Sequence, residues 1–382
     1  MNESLITSPS SRPTGLERFL DEPSLLGKTG RLGLLNHPAG VTRDLVPAAV
    51  ALLQKGIRLE RLFGPEHGVD GSGQAGEAPE MAADPLTGLP AHSLYEKKPD
   101  ELAALIAQVD TLLVDLQDVG LRYYTFVSTL VQVLGAARQR GVRVVVLDRP
   151  NPLGFAVSGP ILQPAYRSFV GMLELPLRHG LTLGECARYV DPNVEVIPCD
   201  PQAAFGSEAL PWVPPSPNLP SLENLWLYTG VALVEASAAS EGRGTALPFG
   251  LVGAPGLDAA RLARRLNELG LPGVRFRPTF FTPYFSKHQG QRCAGVQVHR
   301  VGPPTDLLAV GLALLGALAE QGVAINPDWL QKLLGIPFTP DLLEPEQTLA
   351  HTHRWAAGAR AYAQAQLQTC WLYPRPGLSA FR

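Results

Sequence analysis

The chain has few cysteines, and their spacing does not suggest a metal centre. Four cysteines occur in 382 residues, with no CxxC pair and no zinc-ligand spacing. They are Cys186, Cys199, Cys293 and Cys370. Scattered single cysteines are typical of buried free thiols in a reducing compartment. The pattern therefore argues against a disulfide framework and against a cysteine-bound metal.

The sequence also lacks a basic stripe and a long apolar run, and its first residues do not predict a signal peptide. Its 32 basic and 35 acidic residues give a net charge of −3 without blocks of one sign, which does not favour nucleic-acid binding. The longest apolar stretch, 307–319, is about half a membrane span and predicts a buried helix capped at 305–306. The first residues contain neither the basic segment nor the apolar segment that a signal peptide has. We expect a soluble cytoplasmic protein without nucleic-acid or membrane partners, and the oligomeric state stays open.

Several enzyme motifs are missing as well. No GxGxxG follows the first predicted strand, so we expect no dinucleotide cofactor. No GxSxG elbow supports a serine hydrolase. No HxH, HExxH or Asp-x-Asp spacing supports a metal site built from His37, His67, Asp115 and Asp118. We therefore predict neither a cofactor nor a metal.

What is present predicts two domains, the default for a chain of this length. Apolar strands at 31–35, 59–63, 111–116 and 142–147 alternate with helices at 45–55, 100–108, 126–140 and 181–190. Strands that are apolar throughout indicate a sheet covered on both faces, here an α/β fold with a Rossmann-like, doubly wound, mostly parallel sheet over 1–225. A Pro-rich stretch, 211–220, predicts a domain border or a rigid cleft wall. For 226–382 we predict a smaller α+β domain that closes the cleft. It would have a strand at 231–235, another at 295–300, and helices at 258–269, 306–322 and 351–368.

Polar, ionisable clusters follow the predicted strands. Glu66 and His67 come after the second strand, and Asp115 and Asp118 come at the end of the third. Open α/β sheets bind ligands just beyond the carboxyl ends of their strands. The repetition therefore predicts a functional site at this edge of the sheet.

Three glutamates are candidates for glycosidic cleavage, which uses one carboxylic acid and commonly a second carboxylate. Glu66 lies in a Pro/Gly loop and is the leading acid candidate, although a loop glutamate can also serve backbone donors. Glu241 lies in Ser-Glu-Gly-Arg-Gly-Thr at 240–245, which could equally be a charged turn with an ion pair to Arg243. Glu235 interrupts an apolar run, so we expect it to be buried with a partner, as a catalytic or supporting carboxylate.

Other polar groups could contact a sugar. Asp115 and Asp118 with Arg122, Tyr123 and Tyr124 resemble a sugar platform, although one tyrosine is better explained as core. Cationic groups in Gly/Pro contexts could bind an anionic substrate group. Arg178 and His179 precede a predicted helix and are the stronger pair, whereas Lys287 and His288 favour solvated surface charge.

These residues resemble the exo-β-N-acetylmuramidase family (NamZ-like, glycoside hydrolase family 171, formerly a domain of unknown function). The matching motifs keep the family's order over roughly 30–300. They are Phe-Gly-Pro-Glu-His-Gly at 63–68, Asp-Leu-Gln-Asp-Val-Gly at 115–120, Arg-Tyr-Tyr-Thr at 122–125, Leu-Asp-Arg-Pro-Asn-Pro at 147–152, Arg-His-Gly at 178–180 followed by Thr182 and Gly-Glu at 184–185, Pro-Asn at 217–218, Ser-Glu-Gly-Arg-Gly-Thr at 240–245, and the 281–287 region.

The resemblance implies release of N-acetylmuramic acid from the non-reducing end of peptidoglycan fragments in cell-wall recycling, so the expected partner is a saccharide substrate. It implies that Glu66 is the prime catalytic residue and that Glu241 is its partner. The resemblance adds Asn218 to the expected substrate contacts. It also implies that Arg178 or Arg243 binds the lactyl carboxylate of muramic acid.

Two segments depart from the family pattern. Ala-Ser-Ala follows Glu235, where a Gly-Thr-Asn-like run is usual, and His-Pro-Ala-Gly follows Asn36, where Gln-Thr-Gly is usual. Retaining, inverting and substrate-assisted mechanisms all stay open. The alternative function is a non-catalytic sugar-binding or sensor protein with a two-domain clamp.

Overall fold

The fold is known from a computed structural model that describes residues 14–77, 79, 81–206, 210–303 and 306–375. Within these residues the strands are β1 Leu32–Asn36, β2 Arg61–Gly64, β3 Ala91–Ser93, β4 Thr111–Asp115, β5 Arg143–Leu147, β6 Ser158–Ile161, β7 Pro176–Arg178, β8 Glu195–Ile197, β9 Leu251–Ala254, β10 Val274–Phe281 and β11 Cys293–Arg300. The helices are α1 Gly15–Asp21, α2 Ala48–Gln54, α3 Pro99–Ile106, α4 Phe126–Arg140, α5 Leu183–Val190, α6 Leu222–Val231, α7 Ala259–Glu268, α8 Leu307–Ala319, α9 Pro327–Leu334 and α10 Thr348–Gln366.

A six-stranded parallel sheet organises the first half, in the order β3-β2-β1-β4-β5-β8. Strand order reverses between β1 and β4, as in doubly wound folds. Successive residues of β1 face opposite layers, because Leu34 packs with α1 and α2 whereas Leu35 packs with α3 and α4. The predicted α/β, Rossmann-like fold is confirmed, and its sheet is covered on both faces.

The second half is α+β, as predicted. Its strands β10, β11 and β9 form an antiparallel sheet, whereas β6 and β7 form a separate antiparallel pair in the first half. Helix α8 is buried along nearly its whole length, and the Asp306 side chain caps it by accepting a hydrogen bond from the Leu308 N–H at 2.9 Å. Thr305, which belonged to the predicted cap, lies outside the described residues. The predicted division at 225/226 stays a prediction.

Several local predictions are confirmed. Helix α4 has the predicted bounds, and Thr182 and Glu185 form a capping box at the start of α5. All four cysteines are free and buried. In the described part of the chain, no helix combines the length and apolarity needed to cross a membrane. Of the first 28 residues, 1–13 lie outside the described residues, and α1 follows them.

The predicted strand at 231–235 is wrong. Helix α6 continues to Val231, and a 3₁₀ helix follows over Ala232–Ala236. A short apolar run fits a buried helix as well as a buried strand, so its periodicity could not decide. The helix prevails because Gly230 lets α6 contact α8: a Cβ there would lie 1.8 Å from the Leu307 carbonyl oxygen. Strands β9 and β10 and helices α6 and α9 were not predicted.

Candidate active site

A cavity of about 660 Å³ lies beyond the carboxyl end of β2. One wall is formed by the loop that carries Glu66 and by Thr125, which precedes α4. The second half of the chain contributes Glu235, Glu241 and Lys287 to the lining. The cavity therefore joins the predicted carboxylates from distant parts of the sequence in one concave, solvent-accessible site.

Glu66 is held by two neutral donors. Its Oε1 accepts a hydrogen bond from the Gly76 N–H at 2.7 Å, and its Oε2 accepts one from the Thr125 hydroxyl at 2.6 Å. The side chain is 9% exposed, so it is buried but still lines the cavity. Burial raises the pKa of the neighbouring Tyr95 to about 12, and the charge of Glu66 adds to the effect.

The loop after β2 requires unusual backbone geometry. Gly64 lies so close to the next turn that a Cβ would sit 2.5 Å from the Val69 nitrogen. His67 adopts a φ of +77°, rare for a residue with a side chain. Its Nδ1 lies 3.0 Å from the Gly73 carbonyl oxygen, which ties the turn to the following segment. These contacts fix the direction of the intervening Glu66.

A charged cluster lines the same cavity as Glu66. The Arg243 Nε lies 3.1 Å from Glu241 Oε1, and its Nη2 donates to Glu235 Oε1 at 2.7 Å. Lys287 Nζ donates to Glu241 Oε2 at 3.1 Å. Each oxygen of the Glu241 carboxylate therefore faces a cation. Burial raises the pKa of Glu235, and the charge of Arg243 opposes that effect.

The interpretation as solvated surface charge is wrong for Lys287, whereas His288 stays partly exposed. Lys287 lines the cavity, and its ammonium contacts Glu241 and main-chain carbonyls. His288 Nε2 lies 2.7 Å from the Ala238 carbonyl oxygen. Both side chains therefore bind the chain that leads into Glu241.

Aromatic side chains and one amide complete the walls. Tyr95 and Phe169 form an edge-on pair with ring centroids 5.6 Å apart, and Trp329 lines the cavity beside them. Tyr124 also lines it, and its hydroxyl donates to the Pro215 carbonyl at 2.6 Å. Asn218 is 2% exposed, and its Nδ2 has no hydrogen-bond partner among the described residues. These are the groups that sugar recognition needs: apolar faces and a free polar donor.

The predicted site residues divide into two groups. Seven line the cavity: Glu66, His67, Tyr124, Asn218, Glu235, Glu241 and Arg243. Asp115, Asp118, Arg122, Arg178 and His179 do not appear in its lining. Four of these five residues are buried and Arg178 is partly exposed, and each contacts other groups of the protein.

Asp115 and Arg149 form a buried ion pair at the end of β4. Arg149 Nε donates to Asp115 Oδ1 at 2.6 Å, and Nη2 donates to Oδ2 at 2.9 Å. Nearby, the Gln117 N–H donates to His37 Nε2 at 2.8 Å, and burial lowers the pKa of His37 well below its ordinary value. Structural groups thus occupy the crevice where dinucleotide-binding folds hold their ligand.

Asp118 and His179 face each other in the interior, with Asp118 Oδ2 and His179 Nε2 3.6 Å apart. Burial raises the pKa of Asp118 to about 7 and lowers that of His179 to about 3. Asp118 Oδ2 accepts a hydrogen bond from the Gly120 N–H at 2.7 Å.

Two arginines act as main-chain clamps. The Arg122 guanidinium donates to four carbonyls, including Leu334 at 2.5 Å, and burial lowers its pKa to about 9. The Arg178 guanidinium donates to the Leu153 carbonyl, and burial lowers its pKa as well. Both arginines therefore stabilise the scaffold around the cavity.

Sequence reasoning missed Thr125 as a site residue and undervalued Lys287. The position of Thr125 directly before a predicted helix was a detectable signal, because hydroxyl residues favour helix N-termini. Lys287 had no comparable signal, since its partners are backbone carbonyls. Among the described residues, no group of three or more His, Cys, Asp or Glu side chains could hold a metal ion.

Comparisons with known proteins cover the whole fold. Two family profiles match the chain: "Exo-beta-N-acetylmuramidase NamZ, N-terminal" over 32–223 and "Exo-beta-N-acetylmuramidase NamZ, C-terminal" over 226–373. The chain is 42% identical over 297 residues to the peptidoglycan beta-N-acetylmuramidase NamZ of Bacillus subtilis (strain 168), covering 75% of this chain and 72% of that protein.

Two crystal structures of DUF1343 family proteins from Bacteroides fragilis NCTC 9343 are also similar. One has a TM-score of 0.81 at 27% identity and covers 96% of this chain and 100% of its own. The other has a TM-score of 0.73 at 27% identity and covers 95% and 99%.

Proposed function

This chain belongs to the exo-β-N-acetylmuramidase NamZ family, and from that premise we propose that Glu66 is its general acid and Glu241 the anionic partner. The protein is an exo-acting glycosidase that releases terminal β-linked N-acetylmuramic acid from peptidoglycan fragments. Family membership favours this enzyme over the alternative of a non-catalytic sugar-binding protein.

One observation carries the assignment of roles: the two carboxylates share a cavity but have partners of different charge. Glu66 contacts the Gly76 N–H and the Thr125 hydroxyl, both neutral, whereas Glu241 contacts Arg243 and Lys287. Cationic partners favour the ionised form of a carboxylate. Two carboxyl groups in contrasting environments are typical of a site with one acid and one anion.

Thr125 suits the proton transfer that we assign to Glu66. A threonine hydroxyl can donate to a carboxylate and can accept from a carboxylic acid. The contact of 2.6 Å with Oε2 can therefore persist before and after Glu66 protonates the leaving oxygen. We assign Thr125 the role of a positioning residue.

Glu241 would stabilise the positive charge that develops on the sugar, either as a fixed anion or by reacting with it. Glu235 shares Arg243 with Glu241, so we assign it the task of orienting that guanidinium. The cluster contains two carboxylates and two cations, and it can stay close to neutral before substrate binds.

Substrate contacts are assigned from the cavity lining. Trp329 and the pair Tyr95–Phe169 offer faces for the apolar side of a sugar ring. The buried Nδ2 of Asn218 can donate to the lactyl or the N-acetyl oxygen of muramic acid. Of the two arginines predicted for the lactyl carboxylate we assign Arg243, because Arg243 lines the cavity and Arg178 does not.

We further propose a cytoplasmic role in cell-wall recycling. The four buried cysteines are free, which supports a reducing compartment. The substrates would then be sugars that have already been released from the wall.

Glu66→Gln tests the central assignment. The variant should lower kcat by about 10²–10⁴-fold on a β-N-acetylmuramyl disaccharide, with KM nearly unchanged, because it removes only proton donation. The loss should be smaller on a nitrophenyl β-N-acetylmuramide, since nitrophenolate leaves without protonation. Glu77→Gln is the matched control, because Glu77 lies on the same loop but does not line the cavity.

The wild-type enzyme should hydrolyse the matching nitrophenyl β-N-acetylglucosaminide far more slowly than the muramide. Near-wild-type activity of Glu66→Gln on the disaccharide would exclude Glu66 as the acid. An equal loss on both leaving groups would instead assign Glu66 a role on the sugar side of the bond.

A further inference from the structure

The Lys287 ammonium occupies a small cage of oxygen atoms. Lys287 Nζ lies 2.9 Å from the Ser237 carbonyl oxygen and 3.1 Å from Glu241 Oε2. The remaining oxygens are the carbonyls of Glu235 at 3.1 Å, Ala239 at 3.1 Å and Val234 at 3.5 Å. An ammonium has three N–H donors, so five oxygens bind it as a charge more than as individual hydrogen-bond partners.

The cage lies between a turn that supplies the carbonyls and a strained segment that carries Lys287. The segment 234–239 runs from the 3₁₀ helix into the strand-like residues before Glu241, and its carbonyls point at one spot. On the other side, Ser286 and His288 have φ values of +69° and +58°, which are unfavourable for residues with side chains. Two such residues around one lysine persist only when their surroundings impose them.

Lys287 and His288 both contact the segment 234–239, but only Lys287 also contacts Glu241. His288 Nε2 lies 2.7 Å from the Ala238 carbonyl oxygen, so His288 also binds the segment 234–239. It forms no hydrogen bond with Glu241. Lys287 donates to a carbonyl of the same segment and in addition to the Glu241 carboxylate. A ring of main-chain carbonyls with one carboxylate is the ligand set that a weakly hydrated monovalent cation prefers.

We propose that Lys287 is a positioning residue that fixes the Glu241 carboxylate, and that its cage is a monovalent-cation site filled by the chain's own ammonium. The inference rests on the proposed function only in assigning Glu241 to the reaction. It predicts that a free cation can replace the side chain when the side chain is removed.

The test is chemical rescue of Lys287→Ala. The variant should lose about 10–100-fold in kcat with little change in KM, the size expected for a charged hydrogen bond. Ammonium chloride should restore at least one third of that loss on a logarithmic scale, in a saturable manner. Tetramethylammonium chloride at equal ionic strength should not, because the ion is too large for the cage. Thermal unfolding in both salts shows whether the folded fraction is constant at the assay temperature.

Two further variants separate positioning from a purely structural role. His288→Ala removes a contact with the same segment and leaves the contacts of Glu241 intact. The kcat of this variant should fall by less than about threefold. In the double variant Lys287→Ala with Glu241→Gln, the two losses should not add, because Lys287 acts through that carboxylate.

A folded Lys287→Ala that ammonium does not rescue, or losses that add in the double variant, would overturn the proposal. Lys287→Met retains the aliphatic stem and repeats the test if the alanine variant does not fold. A fully active Glu241→Gln would instead refute the role of Glu241 in the proposed function, independently of the rescue result.

Discussion

Asp115→Asn should destabilise the protein strongly while leaving substrate affinity unchanged. Asp115 is fully buried, and Arg149, its bidentate partner, has a side chain only 3% exposed. The substitution leaves the buried guanidinium without a counter-charge, with one amide oxygen and the Val41 carbonyl as its acceptors. Breaking a buried ion pair in this way costs about 3–5 kcal/mol.

Asp110 offers a matched control on the same strand. It lies directly before β4, as Asp115 lies at its end, and it also forms a bidentate pair, with Arg31. Both of those side chains are about half exposed, so Asp110→Asn should cause a much smaller change in stability. The difference between the two losses of stability reports the effect of burial, because both substitutions replace an aspartate that binds an arginine.

The assay is urea unfolding of the two variants, with kcat and KM measured at a temperature where each stays folded. Replacing both members of the buried pair by apolar residues, Asp115→Leu with Arg149→Met, should recover much of the lost stability. A stable Asp115→Asn enzyme with a raised KM would contradict this reasoning and support the original sequence-based prediction that Asp115 contacts substrate.

Other consequences can be tested separately. Thr125→Val should lower kcat/KM on the disaccharide by about 10–100-fold through loss of the bond to Glu66, whereas Thr125→Ser should retain most activity. Asp118 has a folded pKa of about 7, above its ordinary 3.8, so wild-type stability relative to Asp118→Asn should fall as pH rises between those values, by up to about 4 kcal/mol in urea unfolding. A flat difference across that range would contradict the raised pKa. Activity should survive EDTA, since no metal-ligand cluster occurs in the described part of the chain, and a loss reversed by added metal would refute this.

The fold could be predicted because its signals are local. Strands apolar at every position, such as β1 and β4, indicate a covered parallel sheet, and the Thr182–Glu185 capping box marks a helix start. The antiparallel β10 was missed although buried apolar residues alternate with exposed arginines at its start, because a proline interrupts the pattern. The run at 231–235 was misassigned because contact with α8, a long-range effect, selects the helix.

The site could be predicted only in part. Glu66 and Glu241 stand out because charge between glycines and prolines is poor core material. Asp118 and Arg178 share that context but do not line the cavity, and the sequence carries no measure of which polar groups face it. Lys287 binds mainly carbonyl oxygens, which every residue has, so no side-chain pattern could reveal its partner.

The origin of the two carboxylates has a consequence for how the enzyme can be divided. Glu66 lies in the stretch matched by the N-terminal family profile, and Glu241 lies in the stretch matched by the C-terminal one. Arg122 links these stretches by donating to the Leu333 and Leu334 carbonyls. A break at 219–220, before α6 and its cap Ser221, would place Glu66 and Glu241 on separate fragments, so sugar release would report their reassociation. Sugar release therefore requires both stretches in one assembly, whether on one chain or on two.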